Sequence, residues 1–355
     1  MDKINDNQPL VRRGFNYDTL TRYIGRTLRS PLVSYLIVNA LSTKYRNGTV
    51  EVRKKLAAAA ALWAATNVVL PGLCNLTAKI FGHRDNSVYW PNEIAVVTGG
   101  SNGVGYELVL RLLKAGARVV ILDVNQFVLD DERYAKKWHY YKLDVTNVEQ
   151  TKQVAEQIQS EVGHPTMLVN NAGIVVAKLL LEMTDAEVDK VINVNLTSHF
   201  HLIRQFLPGM IKAQRGHIVT IGSIVSFAGT PQATTYCASK GGVKLLHESL
   251  RREVASRYGA SNIRFSIAYP GVIDTGLFKG LDLGQFLMPN LKPHAIARAV
   301  FSALAAGEGR DIYLPKAGGI LPLIYMMSPG VRAWIVNSVS GGDSAMSTWS
   351  GHTKY

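Results

Sequence analysis

Tyr236-Cys-Ala-Ser-Lys240 puts a phenol and an amine at positions i and i+4, which a helix brings to one face. An ammonium beside a phenol lowers its pKa from about 10 toward neutrality. The tyrosine then becomes a usable acid and base near pH 7. Thirteen residues upstream, Ser223 ends a short apolar run, where its hydroxyl can hold a substrate oxygen against the phenol. Ser226 is a nearby competitor for that role, and a lone Tyr-x-x-x-Lys is a common accident, so the surroundings must decide.

A second constellation is Thr98-Gly99-Gly100-Ser101-Asn102-Gly103-Val104-Gly105. Glycines 99, 103 and 105 let a strand turn sharply into a helix and let backbone approach a pyrophosphate, which the helix N-terminus attracts. The spacing is Gly-x-x-x-Gly-x-Gly, not the usual Gly-x-Gly-x-x-Gly. Eighteen residues past Gly105, Asp123 ends the next apolar run. A carboxylate there accepts from adenosine ribose hydroxyls and repels a 2′-phosphate. Asn102 is not basic either, so both residues favour NAD over NADP, with NADP remaining as the alternative.

These residues need a frame. From Trp90 onward short apolar runs alternate with amphipathic stretches, the pattern of a parallel sheet covered on both faces. The expected strands are Ile94–Val97, Arg118–Leu122, His139–Leu143, Met167–Asn170, His217–Ile221, Ile263–Tyr269 and Asp311–Leu314. Helices are expected after Gly105, over Tyr236–Tyr258 and over Pro293–Ala306. Thr146-x-x-Glu149 and Thr184-x-x-Glu187 read as capping boxes opening two more. The fold class is therefore α/β, a doubly wound parallel sheet of Rossmann type in one domain spanning 90–316. A basic N-terminal region, 1–89, precedes it, and an apolar extension with a polar tail, 317–355, follows.

Taken together, the loop Thr98–Gly105, Asp123, Asp144-Val145, Asn170-Asn171-Ala172-Gly173, Asn195, Ser223, Tyr236/Lys240 and Pro270-Gly271-x-x-x-Thr275 resemble the short-chain dehydrogenase/reductase superfamily. The resemblance covers Trp90 to Leu314. It implies that Tyr236 is the proton donor and acceptor, that Lys240 lowers its pKa and bonds the nicotinamide ribose, and that Ser223 orients the carbonyl or alcohol. Asn195 would anchor a proton-relaying water; Asn193 competes, but Leu-Thr-Ser-His-Phe after Asn195 matches the family pattern better. Gly99, Ser101, Asn102, Gly103, Val104 and Gly105 would cradle the dinucleotide. Asp144 and Val145 would contact adenine, and Asn171, Ala172 and Gly173 would line the cleft. Pro270, Gly271, Val272 and Thr275 would border the nicotinamide carboxamide. A homodimer is common in the family.

Leu122-Asp-Val-Asn125, Gly216-His-Ile-Val-Thr220 and Tyr236-Cys-Ala-Ser-Lys240 look like the membrane-associated subgroup of 17β-hydroxysteroid and retinol dehydrogenases. The N-terminal region fits a membrane partner. The chain has 355 residues with net charge +13, and residues 1–55 alone carry eleven Lys/Arg against four Asp/Glu. That charge flanks apolar segments, 30–43 and 56–78, which favours an anionic membrane surface over nucleic acid. The first segment is too short to span, and Pro71-Gly72 interrupts the second. They read as a monotopic or hairpin anchor, with a single span and a pair of packed helices as alternatives. The expected location is the endoplasmic reticulum or a lipid droplet, with the catalytic domain facing the cytoplasm. Two cysteines, Cys74 and Cys237, exclude a disulfide framework and lack the company of a metal site.

Gly276–Leu291 is rich in Leu, Met and Phe and, by the resemblance, forms the substrate lid; ordinary packing on the core is the other reading. Ala317–Val331 is uncharged, with Pro322 and Pro329 forbidding a long helix, and suits a second membrane-facing patch. The expected activity is hydride transfer between a nicotinamide cofactor and a hydroxyl or carbonyl on a lipophilic molecule. The rivals are an NADPH-dependent ketoreductase of lipid or secondary metabolism and a surface protein that binds dinucleotide with weak catalysis.

Overall fold

The computed structural model describes residues 88–275, 289–324 and 326–332. The segments 30–43 and 56–78, residues 276–288 of the expected lid and the tail beyond 332 lie outside the described residues.

Seven strands form one sheet: β1 Ile94–Thr98, β2 Arg118–Asp123, β3 Trp138–Lys142, β4 Met167–Asn170, β5 Gly216–Ile221, β6 Ile263–Pro270 and β7 Asp311–Leu314. Every pairing is parallel, in the order β3-β2-β1-β4-β5-β6-β7. Parallel strands need crossovers, and helices supply most of them. They are α1 Gly103–Ala115, α2 Val148–Glu161, α3 Asp185–Ile192, α4 Ser198–Ala213, α5 Thr234–Ser256 and α6 Pro293–Ala305, with a four-residue α7 at Leu321–Ile324. Between α3 and α4 the helix widens into a five-residue π-helix, Asn193–Thr197.

Two apolar layers hold the sheet, one on each face. Ala95 and Val97 of β1 point toward α1 and α6 and pack with Leu108, Leu112, Ile296 and Val300. Ile94 and Val96 point the other way and pack with Ile158 of α2, Leu202 and Phe206 of α4 and Val254 of α5. Alternation along one strand thus serves two cores, which is why β1, β4 and β5 are buried throughout. This is a single-domain Rossmann-type fold. Among the described residues no helix is long and apolar enough to cross a membrane.

Two local expectations need correction. α2 is capped by Asn147, whose side chain accepts from Gln150 N at 3.0 Å. Thr146 instead gives its N–H and hydroxyl to Asp144 Oδ1, at 2.9 and 2.7 Å. An aspartate two residues back outcompetes the helix end for that threonine. α5 begins at Thr234, two residues ahead of the tyrosine. The Thr184–Glu187 capping box is present and opens α3.

Candidate active site

Strand order reverses between β1 and β4, and a crevice opens there at the carboxyl ends of the strands. A cleft of about 890 Å³ occupies it. Its floor is the turn from β1 into α1. Gly99 and Gly103 have φ of +64° and +56°, the left-handed region that glycine tolerates. Gly105 is needed for a different reason: a Cβ there would run into the Gly99 carbonyl and approach Asn171 Nδ2 to 2.6 Å.

Two side chains pin that turn. Thr98 Oγ1 accepts from Asn171 N at 2.9 Å and Ala172 N at 3.0 Å, and donates to Val169 O at 3.3 Å. Asn171 Nδ2 donates to the carbonyls of Thr98 and Gly99, at 2.9 and 3.0 Å. Asn171 therefore braces the loop from the neighbouring strand end. Asp123, at the end of β2, accepts from Ser101 N through Oδ2 and from Asn125 N through Oδ1, both at 2.9 Å. Each oxygen keeps acceptor capacity, and the residue lines the cleft. Thr275 comes over the loop from the far side, with its methyl 3.6 Å from where a Gly103 Cβ would stand.

The chemistry-bearing side chains sit on the opposite wall. Tyr236, Lys240 and Ser223 are all buried and all line the cleft. Ser223 Oγ lies 3.4 Å from Pro270 O and accepts from Val225 N at 3.3 Å. Ser226, the competing serine, is turned to accept from Ser223 N. Burial pushes the Tyr236 phenol above its ordinary range, while a hydrogen bond with Ser223 pulls it down. The net direction is upward, opposite to the lowering expected from the sequence. The Lys240 ammonium lies 5.7 Å from the ring centroid and donates to Ile221 O at 2.8 Å. Burial lowers its own pKa to about 8.

Asn195 is fully buried, whereas Asn193 is exposed. Its Oδ1 accepts from Ile174 N at 2.8 Å, and its Nδ2 donates to Ile174 O at 2.9 Å and Ser239 Oγ at 3.1 Å. The Asn195 side chain thus joins the loop after β4 to α5. A π-helix reaches this position because its wider turn carries the side chain inward.

The cleft also gathers Gly99, Asn102, Gly103, Val104, Asp144, Val145, Ala172, Gly173, Pro270 and Gly271. Ser101, Gly105, Asn195 and Val272 do not line the cleft; Val272 packs against Tyr236 with Val175 and Ala233. Spacing arguments missed the brace by Thr98, though a threonine closing the first strand is a readable signal. They also missed the bond that Ser239, inside the Tyr236–Lys240 motif, makes with Asn195, and Lys190 on α3, which lines the cleft. The left-handed glycines, the exposed start of α1 and the buried ammonium form a cradle of the kind a dinucleotide fits.

Comparison with known proteins agrees. The family model for short chain dehydrogenase matches residues 93–285. Dehydrogenase RED2 of Cochliobolus heterostrophus is 40% identical over 199 residues, covering 56% of this chain and 74% of the relative. Epidermal retinol dehydrogenase 2 of Mus musculus is 33% identical over 231 residues, covering 63% and 74%. A solved metagenomic short-chain oxidoreductase in complex with NADP is 28% identical with a TM-score of 0.50, covering 62% of this chain and 96% of that one. The chain belongs to the short-chain dehydrogenase family and is an NAD(P)-dependent oxidoreductase similar to the retinol dehydrogenase subgroup.

Proposed function

We propose that the protein is a membrane-associated, NAD-preferring dehydrogenase/reductase that interconverts a hydroxyl and a carbonyl on a lipophilic molecule of the sterol, retinoid or long-chain lipid class. The observation that carries this reading is the burial of Tyr236, Ser223 and Lys240 in one cleft, with an apolar cluster packed beside the phenol. That cluster contains Val175, Ala177, Ile224, Val225, Cys237 and Leu321.

Bound nicotinamide supplies or accepts the hydride. Ser223 holds the substrate oxygen, and Tyr236 gives it a proton during reduction or takes one during oxidation. Lys240, with its pKa lowered by burial to about 8, returns the proton to the phenol and bonds the nicotinamide ribose. Asn195 keeps α5 in register with the loop after β4. Asp123 receives the adenosine ribose, while Asp144 and Val145 border adenine. Asn171, Ala172 and Gly173 shape the middle of the cleft, and Pro270 to Thr275 close its nicotinamide end.

Membrane association draws on the +7 excess of residues 1–55 and on the apolar segments 30–43 and 56–78. Exposed Leu179, Leu180, Leu181, Met326 and Met327 add apolar surface on the catalytic domain. The location is the endoplasmic reticulum or a lipid droplet, with the active site in the cytoplasm. A homodimer through α4 and α5 is part of the same reading, since Phe200 and Leu245 are exposed on them. NADP(H) is the second reading, favoured by the NADP held in the solved relative.

The test is a panel of sterols, retinoids and long-chain alcohols and ketones, assayed with NAD(H) and NADP(H) in detergent micelles, with wild type beside Tyr236→Phe. Turnover should fall about 10²–10⁴-fold in the variant, with cofactor affinity retained. Equal activity of the two proteins refutes the assignment.

A further inference from the structure

More negative than positive side chains line the cleft. Among the described residues, Asp123, Asp144 and Asp274 face it against Lys190 and Lys240. A dinucleotide adds the negative charge of its diphosphate, so a carboxylate in the wall repels the ligand unless something compensates it. Asp123 accepts from Ser101 N and Asn125 N, and Asp144 accepts from Thr146 N and its hydroxyl. Asp274 meets a full opposite charge: Lys292 Nζ donates to its Oδ2 at 2.6 Å.

The backbone beside this pair is held independently of it. Ile273 and Leu291 form a parallel bridge, with Leu291 N donating to Val272 O at 2.8 Å and Asp274 N to Leu291 O at 2.7 Å. Ile273 and Leu291 are buried in the apolar layer that also holds α1 and α6. None of those bonds uses the Asp274 or Lys292 side chain. Thr275, next in the chain, stands over the glycine turn beside Gly103, and Pro293, the residue after Lys292, lines the cleft. The ion pair therefore belongs to the wall across from the left-handed turn, whose helix N-terminus attracts phosphate.

The fold itself gains little from Lys292. It is the N-cap residue of α6, where its side chain makes no capping bond and its charge sits at the positive end of the helix dipole. The lysine and aspartate side chains are 40% and 36% exposed, and pairs this open add little to stability.

We propose that Lys292 is a positioning residue for the dinucleotide, a step that rests on the dinucleotide reading of the cleft: its ammonium cancels the Asp274 carboxylate, so that the wall across from the glycine turn accepts the diphosphate instead of repelling it. The effect is electrostatic, and no covalent bond is made or broken. The two partners have opposite signs of influence. Lys292 favours the ligand, while Asp274 opposes it and fixes where the ammonium stands. A mechanical brace built from the same side chains would need both equally.

Binding of NADH to the full chain, followed by the change in its fluorescence, separates the two. Lys292→Met bares the carboxylate and should weaken NADH roughly fivefold at low ionic strength, the upper range for one exposed charge pair. Asp274→Asn frees the ammonium and should bind NADH at least as tightly as wild type. The double variant, and Lys292→Arg, which keeps the charge, should both lie within about twofold of wild type. In about 1 M KCl, where screening acts over about 3 Å, the gap between wild type and Lys292→Met should close. Urea midpoints should be the same across the set. Equal weakening by Lys292→Met and Asp274→Asn overturns the proposal, as does a Lys292→Met gap that is absent or survives salt. A lowered urea midpoint for Lys292→Met also overturns it, by assigning the pair to the fold. All of these results leave the dinucleotide reading standing; that reading fails if the wild-type protein binds neither NADH nor NADPH.

Discussion

Replacing Asn195 with alanine separates bracing from water anchoring. The substitution removes three hydrogen bonds in a fully buried position and leaves Ile174 N and Ile174 O without those partners. Ser239 keeps its bond to Tyr236 O, 2.7 Å long, and suffers less. Two stranded backbone groups cost about 1–3 kcal/mol each, so destabilisation of roughly 2–6 kcal/mol is expected. Against a total of about 5–15 kcal/mol that is a large fraction. For a domain of this size, about 4 kcal/mol corresponds to a fall in Tm on the order of 10 °C. Urea unfolding followed by tryptophan fluorescence reads it directly, as a lower midpoint at unchanged slope. Should stability stay within about 0.5 kcal/mol of wild type while turnover collapses, the bracing argument is wrong and Asn195 acts on the proton path instead.

Gly105→Ala should abolish dinucleotide affinity with a smaller loss of stability, because the new methyl must displace the Gly99 carbonyl; isothermal titration with NADH checks it. Asp123→Ala should lower the preference for NAD(H) over NADP(H) and weaken both, since it also releases Ser101 N and Asn125 N; an unchanged ratio of kcat/KM for the two cofactors would favour the NADP reading. Acid should destabilise the fold through its buried imidazoles. His199 and His217 are held near 3 in the folded state by burial, below the ordinary 6.5. Their neutral forms are therefore favoured by folding above pH 6.5, and that contribution is lost as pH falls from there toward 3. At pH 5 each subtracts about 2 kcal/mol, measurable as a lower urea midpoint than at pH 7.

Much of this was legible in the residues. The β4 and β7 boundaries coincide with the expected runs, and the other strands differ at their ends by a residue or two. Continuous Val/Ile/Leu runs leave little choice but a strand buried on both faces. The tyrosine, lysine and serine converge in one cleft because a helix repeat and a strand end determine where they point. What was not legible depends on competition between neighbours. The cap of α2 passed from Thr146 to Asn147 because Asp144 claimed the threonine. The phenol's pKa went up because burial, invisible in spacing, outweighed the lowering by the Ser223 hydrogen bond. The partners of Asn195 depended on a backbone segment twenty-one residues away and on Ser239, whose contact the motif's spacing does not show.

The π-helix at Asn193–Thr197 makes the chain unusually sensitive to its own length. α3, the widened turn and α4 run without a break from Asp185 to Ala213. Deleting one residue from that turn would let an ordinary helix form straight through it, and everything downstream would rotate by about 100°. Asn195 would leave Ile174, and Leu202 and Phe206 would swing away from the sheet. This stretch should accept exchanges of side chain far more readily than any gain or loss of a single link in the backbone.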